Sequence, residues 1–502
     1  MSQEKSIFGS IEAEFKAFYF ALRQNIVKVL VNLFIYLLSL ITIGLVNFPY
    51  IDDARRQIDG DTNFGFFDGR WGSEIFSWFF QGSRHLTDMG LVTPILSAIF
   101  LCLASLTIIY VFDDKFSWLA IISSTLFGLN AWFLGCISFR YDSPYMALSL
   151  LFSVIPFLWW KSNKITFGIM SFIGVFLMCN TYQLSSGIYI VVLLSLYFQS
   201  IIDGEKLLLH FKRILIAAIS YILAMICFVI ETSFNPEIAN RGDAVAISEM
   251  TQLPRTFLRN IRAYFITIYQ DSSRLWVLLT GLILVAFVIT FMKRSKIGRI
   301  KAFIWSGIYL LTAAIFSYGV LLIFKFPLAE RSVRYGYGLG AFISIVMVML
   351  TSNAKADSKI VKRISGILVL LLTYYSLSFT FVFAANLSSQ KDSFERQSML
   401  LASDLKEYVT TDRRVVNMNS LFHDSRVVSN SERNYPILGK LIQSNNAIFW
   451  PNTTLFNTYT NLDVTINQFD FKKFDKDDKK LQVKSSLYDI YTSKDQIYVK
   501  MK

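Results

Sequence analysis

Apolar runs of about 18 or more residues recur along the chain from Val27 to Phe383. That pattern constrains the fold more than any other feature. A run of that length in helical form crosses roughly 30 Å of hydrocarbon. Inside a bilayer only helices and closed barrels satisfy every backbone polar group. A barrel would need a series of ~10-residue alternating segments, and none is present. The expectation is an all-α polytopic membrane protein with about 11 transmembrane helices. The spans fall near residues 28–48, 90–112, 118–137, 145–160, 165–180, 184–201, 213–232, 275–292, 302–324, 333–351 and 364–385. The first run is too long for a signal-peptide core and is read as a retained span.

Beyond residue 385 the composition turns polar. Residues 1–385 are read as the membrane region, with long outer loops at 49–89 and 232–274. Residues 386–502 are read as a small α/β domain. Its expected elements are a helix from Ser388 to Tyr408, a helix from Pro436 to Asn446, and strands at Arg414–Met418 and Gln496–Met501. The stretch Lys472–Lys480 reads as a solvated turn of mixed charge.

The net charge of +13 is a matter of topology, because basic residues collect on the cytoplasmic side; nucleic-acid binding is not implied. With the N-terminus inside, the inner loops carry mostly lysine, from Lys5 and Lys16 through Lys206 to Lys355 and Lys362. The outer loops carry Lys325 and otherwise arginine: Arg55, Arg56, Arg70, Arg84, Arg140, Arg241, Arg255, Arg259, Arg262, Arg274, Arg331 and Arg334. Topology needs only positive charge, so it does not explain the switch of residue type. A guanidinium fork grips phosphate or carboxylate at two points. An anionic, phosphorylated ligand at the outer face would explain it; anionic lipid head groups are the plainer alternative.

The acids concentrate at the same face. Asp52 and Asp53 follow the first apolar run and precede Arg55 and Arg56. Adjacent carboxylates titrate as a coupled pair, and one of them suits a general base toward a hydroxyl. The plainer reading is a helix-end pair neutralised by the two arginines. Asp68-Gly69-Arg70-Trp71-Gly72 lets backbone approach a ligand closely and offers an indole face to a sugar ring. Arg140 and Asp142 sit on the next outer turn and would either bind substrate or pair with each other. Arg331 and Arg334 stand one helical turn apart, spaced to grip a phosphate. Gly336 and Gly340 read as helix-packing glycines. The outer loops also hold two interfacial helices, around Ile75–Phe80 and Leu253–Ile268. No Walker sequence, CxxC pair or Cys/His zinc spacing occurs. No cofactor or metal site is implied, although acids alone can hold a divalent ion through waters.

Together Tyr50-Ile51-Asp52-Asp53, Asp68-Gly69-Arg70, Phe139 to Pro144, and Ala385-Asn386 followed by Gln397 resemble one family. It is the serotype-converting O-antigen glucosyltransferases of the type II glucosyl transferase group. The resemblance implies a GT-C-like architecture with catalytic acids in the first outer loop. The implied donor is undecaprenyl-phosphate glucose and the implied acceptor an O-antigen polysaccharide hydroxyl. The enzyme would act at the periplasmic face of the bacterial inner membrane, with its C-terminal domain periplasmic. Asp52 and Asp53 both remain candidates for the base. A flippase for a lipid-linked saccharide is the main rival; it would place ionisable residues at mid-membrane depth, where this sequence has few. An O-antigen polymerase, or a transferase acting on lipid A or protein, is the other.

Overall fold

The computed structural model describes residues 7–61, 63–113, 115–205, 207–240, 246–352, 359–475, 477 and 479–502. Lys5, Lys206, Arg241 and Lys355 of the charge pattern, and residues 476 and 478 of the mixed-charge turn, lie outside that range. The chain forms two compact units. One comprises residues 1–45 and 61–381. The other comprises residues 46–60 and 382–502, so a short segment from the front of the chain is built into the unit at its end.

The first unit is helical. Among the described residues eight helices are long and apolar enough to cross a membrane, and a bent pair brings the number to nine. The chain is thus a membrane protein, and each apolar run found in the sequence is helical. The span count differs for local reasons. Lys164–Ile202 passes as one long stretch, although a 3-10 turn at Gln183–Ser185 interrupts it. The run expected at 118–137 breaks into Trp118–Phe127 and Ala131–Ile137, bent by 58°. Asn130 causes the break: its backbone is extended and its side chain caps the second helix, accepting the Phe133 N–H at 3.0 Å. The run at 145–160 forms a helix only over Ser143–Val154 and tightens into a 3-10 turn around Pro156. The helix expected over 302–324 stops at Phe316, and a 3-10 turn begins at Gly319.

Small residues set how closely these helices approach. The Gly336 and Gly340 reading holds. A Cβ at Gly336 would lie 2.5 Å from the Trp132 ring, and one at Gly340 would overlap the Asn130 side chain. Buried hydroxyls and amides pair across helices: Tyr36 with Ser105 at 2.6 Å, Asn32 with Ser124 at 3.1 Å, and Ser195 with Tyr309 at 2.8 Å. The exterior stays apolar, as lipid-facing surface must: Leu223, Ile226, Val285 and Leu311 are all exposed.

Two loop helices read as interfacial behave differently. Trp71–Gln81 buries Gly72, Ser73, Glu74 and Ser77 and exposes Ile75 and Phe79. Its polar face is inward and its apolar face outward, which suits the head-group boundary. Leu253–Asp271 buries Thr256, Asn260, Tyr264, Thr267 and Asp271, while Arg255, Arg259 and Arg262 are exposed. Asn260 fastens it by donating to the carbonyls of Leu321, Leu322 and Phe324.

The last helix, Lys359–Leu405, has 47 residues. At 1.5 Å per residue it is about twice the length needed to cross hydrocarbon. It absorbs both the span expected at 364–385 and the helix expected from Ser388, and the boundary between the units falls within it.

The second unit carries a five-stranded sheet: β1 (Val415–Met418), β2 (Thr465–Gln468), β3 (Lys480–Lys484), β4 (Tyr488–Thr492) and β5 (Gln496–Met501). Their order is β2-β1-β5-β4-β3. β1 runs parallel to β2 and β5, and β4 antiparallel to β3 and β5. Tyr488, Ile490 and Thr492 face the core opposite Met501, Val499 and Ile497, the period-two pattern of a sheet covered on one face. Phe394, Leu401, Leu405, Phe456 and the buried strand residues form that core. The helix expected over 436–446 shrinks to Leu438–Leu441. Past it the chain is drawn out to accept the Leu421 and Phe422 amides at Asn446 and Asn445, and the Asp424 carboxylate takes the Asn445 N–H at 2.6 Å. An unanticipated helix, Trp450–Thr460, starts with Pro451 in its first turn.

Candidate active site

The acid pair lies in the segment 46–60 that joins the second unit. The first apolar helix ends at Val46, and the turn after it is unusual. Asn47 has φ +48° and Ile51 has φ +46°. A β-branched residue there is a true outlier. Each such residue costs about 1–3 kcal/mol and persists only where the surroundings over-determine it, a condition found at functional sites. Asp53 opens the helix Asp53–Asp59, where a carboxylate suits the positive end of the helix dipole. It is fully buried, and its Oδ2 accepts the Tyr50 N–H at 3.3 Å. Asp52 occupies the N-cap position without capping the helix and is half-buried. The two adjacent acids therefore have different environments, which is how paired carboxylates come to play different roles. Ala54 is fully buried in the second unit's core. Arg55 is exposed and pairs with Asp59 at 2.6 Å; Arg56 is half-buried. Gly60, with φ +63°, closes the helix by donating to the Arg56 carbonyl.

The other candidates belong to the first unit. Asp68 ends the helix Phe64–Asp68, Gly69 turns the chain with φ +66°, and Arg70 precedes Trp71–Gln81. Arg70 lies 3.9 Å from the Asp68 carboxylate and 4.7 Å from the centre of the Tyr182 ring. Its Nε is buried and has no hydrogen-bond partner among the described residues. Arg334 lies 4.5 Å from the Phe139 ring centre. Tyr182 stacks on Tyr337, whose hydroxyl bonds with Ser185 at 2.8 Å. Two guanidinium groups far apart in sequence thus each lie over an aromatic ring, Arg70 over Tyr182 and Arg334 over Phe139. Cations held over aromatic faces are well placed to receive an anion whose remaining surface is apolar.

Sequence reasoning missed Tyr182 and Glu74. The signal for Tyr182 was the polar insertion Asn180-Thr181-Tyr182-Gln183 inside an apolar run. Glu74 is buried, with Oε2 accepting the Gly65 N–H at 3.1 Å. Together with Asn235, which donates to the Gly65 and Phe66 carbonyls, and Ser73, which donates to Thr181, it holds the Asp68–Arg70 loop in place.

The remaining candidates are spread out. Trp71 is 39% exposed, and the position a Cβ would take at Gly65 lies 2.5 Å from its ring, so one part of the indole is used in packing. Arg140 bonds to Asp88 at 2.8 Å and to the Gly44 carbonyl at 3.0 Å, tying three turns of the chain together. Asp142 is buried at the head of Ser143–Val154. Arg331 and Arg334 do not share a helical turn as expected. Ser332 between them is extended (φ −156°, ψ 138°) and separates two 3-10 turns. Arg331 is exposed beside Phe326, whereas Arg334 turns inward to Phe139. Among the described residues no three His, Cys, Asp or Glu gather closely enough to hold a metal ion, and all four cysteines are free thiols.

The sequence that builds this geometry matches a known family. Residues 41–345 match the family described as Glucosyl transferase GtrII. The match covers the acid pair, Arg70, Tyr182 and Arg334, and more than half of the chain. The chain belongs to this family and is a glycosyltransferase. No curated protein matches it.

Proposed function

We propose that this GtrII-family glucosyltransferase moves glucose from undecaprenyl-phosphate glucose to a sugar hydroxyl of an O-antigen polysaccharide. The reaction takes place at the periplasmic face of the bacterial inner membrane, with the N-terminus cytoplasmic and the C-terminal unit periplasmic. The larger number of basic residues in the loops assigned to the cytoplasm supports that orientation. The observation that carries the catalytic reading is the acid pair: one carboxylate buried and bonded, its neighbour half-buried, after a strained turn inside the family-matched range.

In this reading the acceptor oxygen attacks C1 of the glucose as the bond from C1 to the phosphate oxygen breaks. Asp52 takes the hydroxyl proton, since it is the more accessible acid. Asp53 fixes the turn through the Tyr50 amide. The lipid phosphate leaves with its charge and needs cations rather than a proton. Arg70 and Arg334 are assigned to it, and Asp68 orients Arg70. Arg55, Arg56, Trp71, Arg140, Asp142 and Arg331 remain candidate contacts to the donor or the glycan. A single displacement inverts the anomeric centre.

The test is glucose transfer by the purified protein in lipid, with synthetic polyprenyl-phosphate glucose and purified O-antigen. Asp52→Asn is expected to lower kcat by about 10²–10⁴-fold, the usual contribution of a general base. Arg70→Ala is expected to raise the donor KM and lower kcat, with Arg70→Lys intermediate. Wild-type rates in Asp52→Asn would sink the base assignment, and a retained anomeric configuration would sink the single displacement.

A further inference from the structure

The turn that carries the acids has to be held against its own strain, and the structure shows what holds it. Val46 is the last residue of its helix, so its carbonyl lacks an intrahelical partner. Lys391 supplies one: its Nζ donates to the Val46 oxygen at 3.1 Å, and it also pairs with Glu395 at 3.6 Å. Two residues on, the Phe48 ring packs on Phe394 at 6.2 Å between centres. Ala54, directly after Asp53, is fully buried in the core that Phe394, Leu401 and Phe456 help to form. Phe48, Lys391 and Phe394 therefore act on the short stretch that contains φ +48° at Asn47 and φ +46° at Ile51. Lys391 and Phe394 lie beyond residue 345, where the family match ends.

We propose that Lys391 is a positioning residue for the acid pair, fixing the start of the 46–60 segment so that residues 47–51 keep the turn that presents Asp52. Its catalytic consequence rests on the reading of Asp52 and Asp53 given above. The hold itself does not, and can be measured separately. Lys391 touches the backbone one residue before the strained turn and acts through that backbone. The C-terminal unit is then a working part of the transferase, since it supplies the fixed end of the acid-bearing segment. A guanidinium at position 391 would still donate to the Val46 carbonyl; a thioether would not.

The experiment uses the full-length protein in lipid nanodiscs and compares Lys391→Met, Lys391→Arg and Glu395→Gln with wild type. Hydrogen exchange of the amides of residues 47–56 reads the hold. Steady-state transfer with polyprenyl-phosphate glucose reads the consequence. Lys391→Met is expected to speed exchange across 47–56 at least fivefold while β1, β4 and β5 keep their protection, and to lower kcat at least tenfold with donor KM within twofold. Lys391→Arg should restore most of both, and Glu395→Gln should change neither. Unchanged exchange in Lys391→Met overturns the proposal, as does equal loss of protection throughout the C-terminal unit. Faster exchange with undiminished transfer keeps the hold and overturns its catalytic consequence. Run alongside, Asp52→Asn and Asp53→Asn separate that outcome from a wrong reading of the acids: if both transfer normally, the acid reading has failed and the exchange result stands by itself.

Discussion

The two units solve the burial problem in opposite ways. In the second unit large apolar side chains, Leu401, Met418, Phe456, Ile490 and Val499, are buried and charged residues such as Lys472 and Lys500 are exposed. In the first unit many large apolar side chains are on the outside, and glycines, serines and amides mediate the inner contacts. Water drives the first arrangement, because removing apolar area from it is favourable. Lipid tails are as apolar as leucine and give no such drive, so close packing and hydrogen bonds between helices must hold the first unit. The lesson is that a residue's hydrophobicity says where it sits only once its solvent is known.

That contrast can be broken most severely at a helix contact. Gly340→Leu would drive a side chain into Asn130, which already caps the Ala131–Ile137 helix and donates to the Leu126 and Phe127 carbonyls. We expect about 3 kcal/mol or more of destabilisation from overpacking and the displaced cap. The readout is thermal unfolding of the detergent-solubilised protein; an unchanged midpoint would mean the helices can move apart freely. In the second unit the expected injury is the opposite one, a cavity. Ile490→Ala at the centre of the buried sheet face should cost about 2–5 kcal/mol, seen as loss of protease resistance in residues 412–502 with the first unit's helices intact.

A smaller effect sharpens the comparison through pH. The Tyr488 hydroxyl donates to the Asp404 carboxylate at 2.8 Å, with the Leu400 carbonyl as an alternative acceptor at 3.0 Å. Burial, and then that carboxylate, push its pKa above the usual tyrosine value. The folded state thus holds this proton more tightly than the unfolded one. The associated stability is fully present below pH 10 and declines as pH rises beyond it. Tyr488→Phe should cost about 1 kcal/mol at neutral pH and flatten the alkaline fall in stability of the second unit; an identical alkaline profile would show that another group titrates. The smallest change expected is Phe79→Ser. Phe79 is 76% exposed, so detergent-phase unfolding should shift by less than about 0.5 kcal/mol, while partitioning of the protein into vesicles weakens. A large loss of stability would mean that this face packs on protein.

Much of the helical unit was legible in the sequence, because a bilayer admits only hydrogen-bonded helices over such apolar runs. What escaped was where each run breaks. Asn130, Pro156 and Gly319 act through local capping and backbone geometry that an apolar average hides. In the C-terminal unit β5 was readable from its alternation, while the helix expected over 436–446 was undone by pairing with Leu421, Phe422 and Asp424, which propensity does not register. The candidate acids were visible because charge beside an apolar run is costly. Tyr182 was hidden within an apolar run, and Glu74 was masked by a helix whose apolar face turned out to face outward.

The sequence by itself marked out the long apolar runs of a membrane protein, the acids and arginines in the polar segments between them, and the family of glucosyltransferases it resembles. These follow from length, hydropathy and short motifs, all local quantities. Only the tertiary structure decided that Asp52 and Asp53 are built into a unit completed by residues 382–502, that Arg70 lies over Tyr182, and that Arg334 lies over Phe139. Val46 with Lys391, and Phe48 with Phe394, are pairs separated by hundreds of residues. Such contacts are fixed by packing and hydrogen bonding in three dimensions, and no local pattern in the chain encodes them.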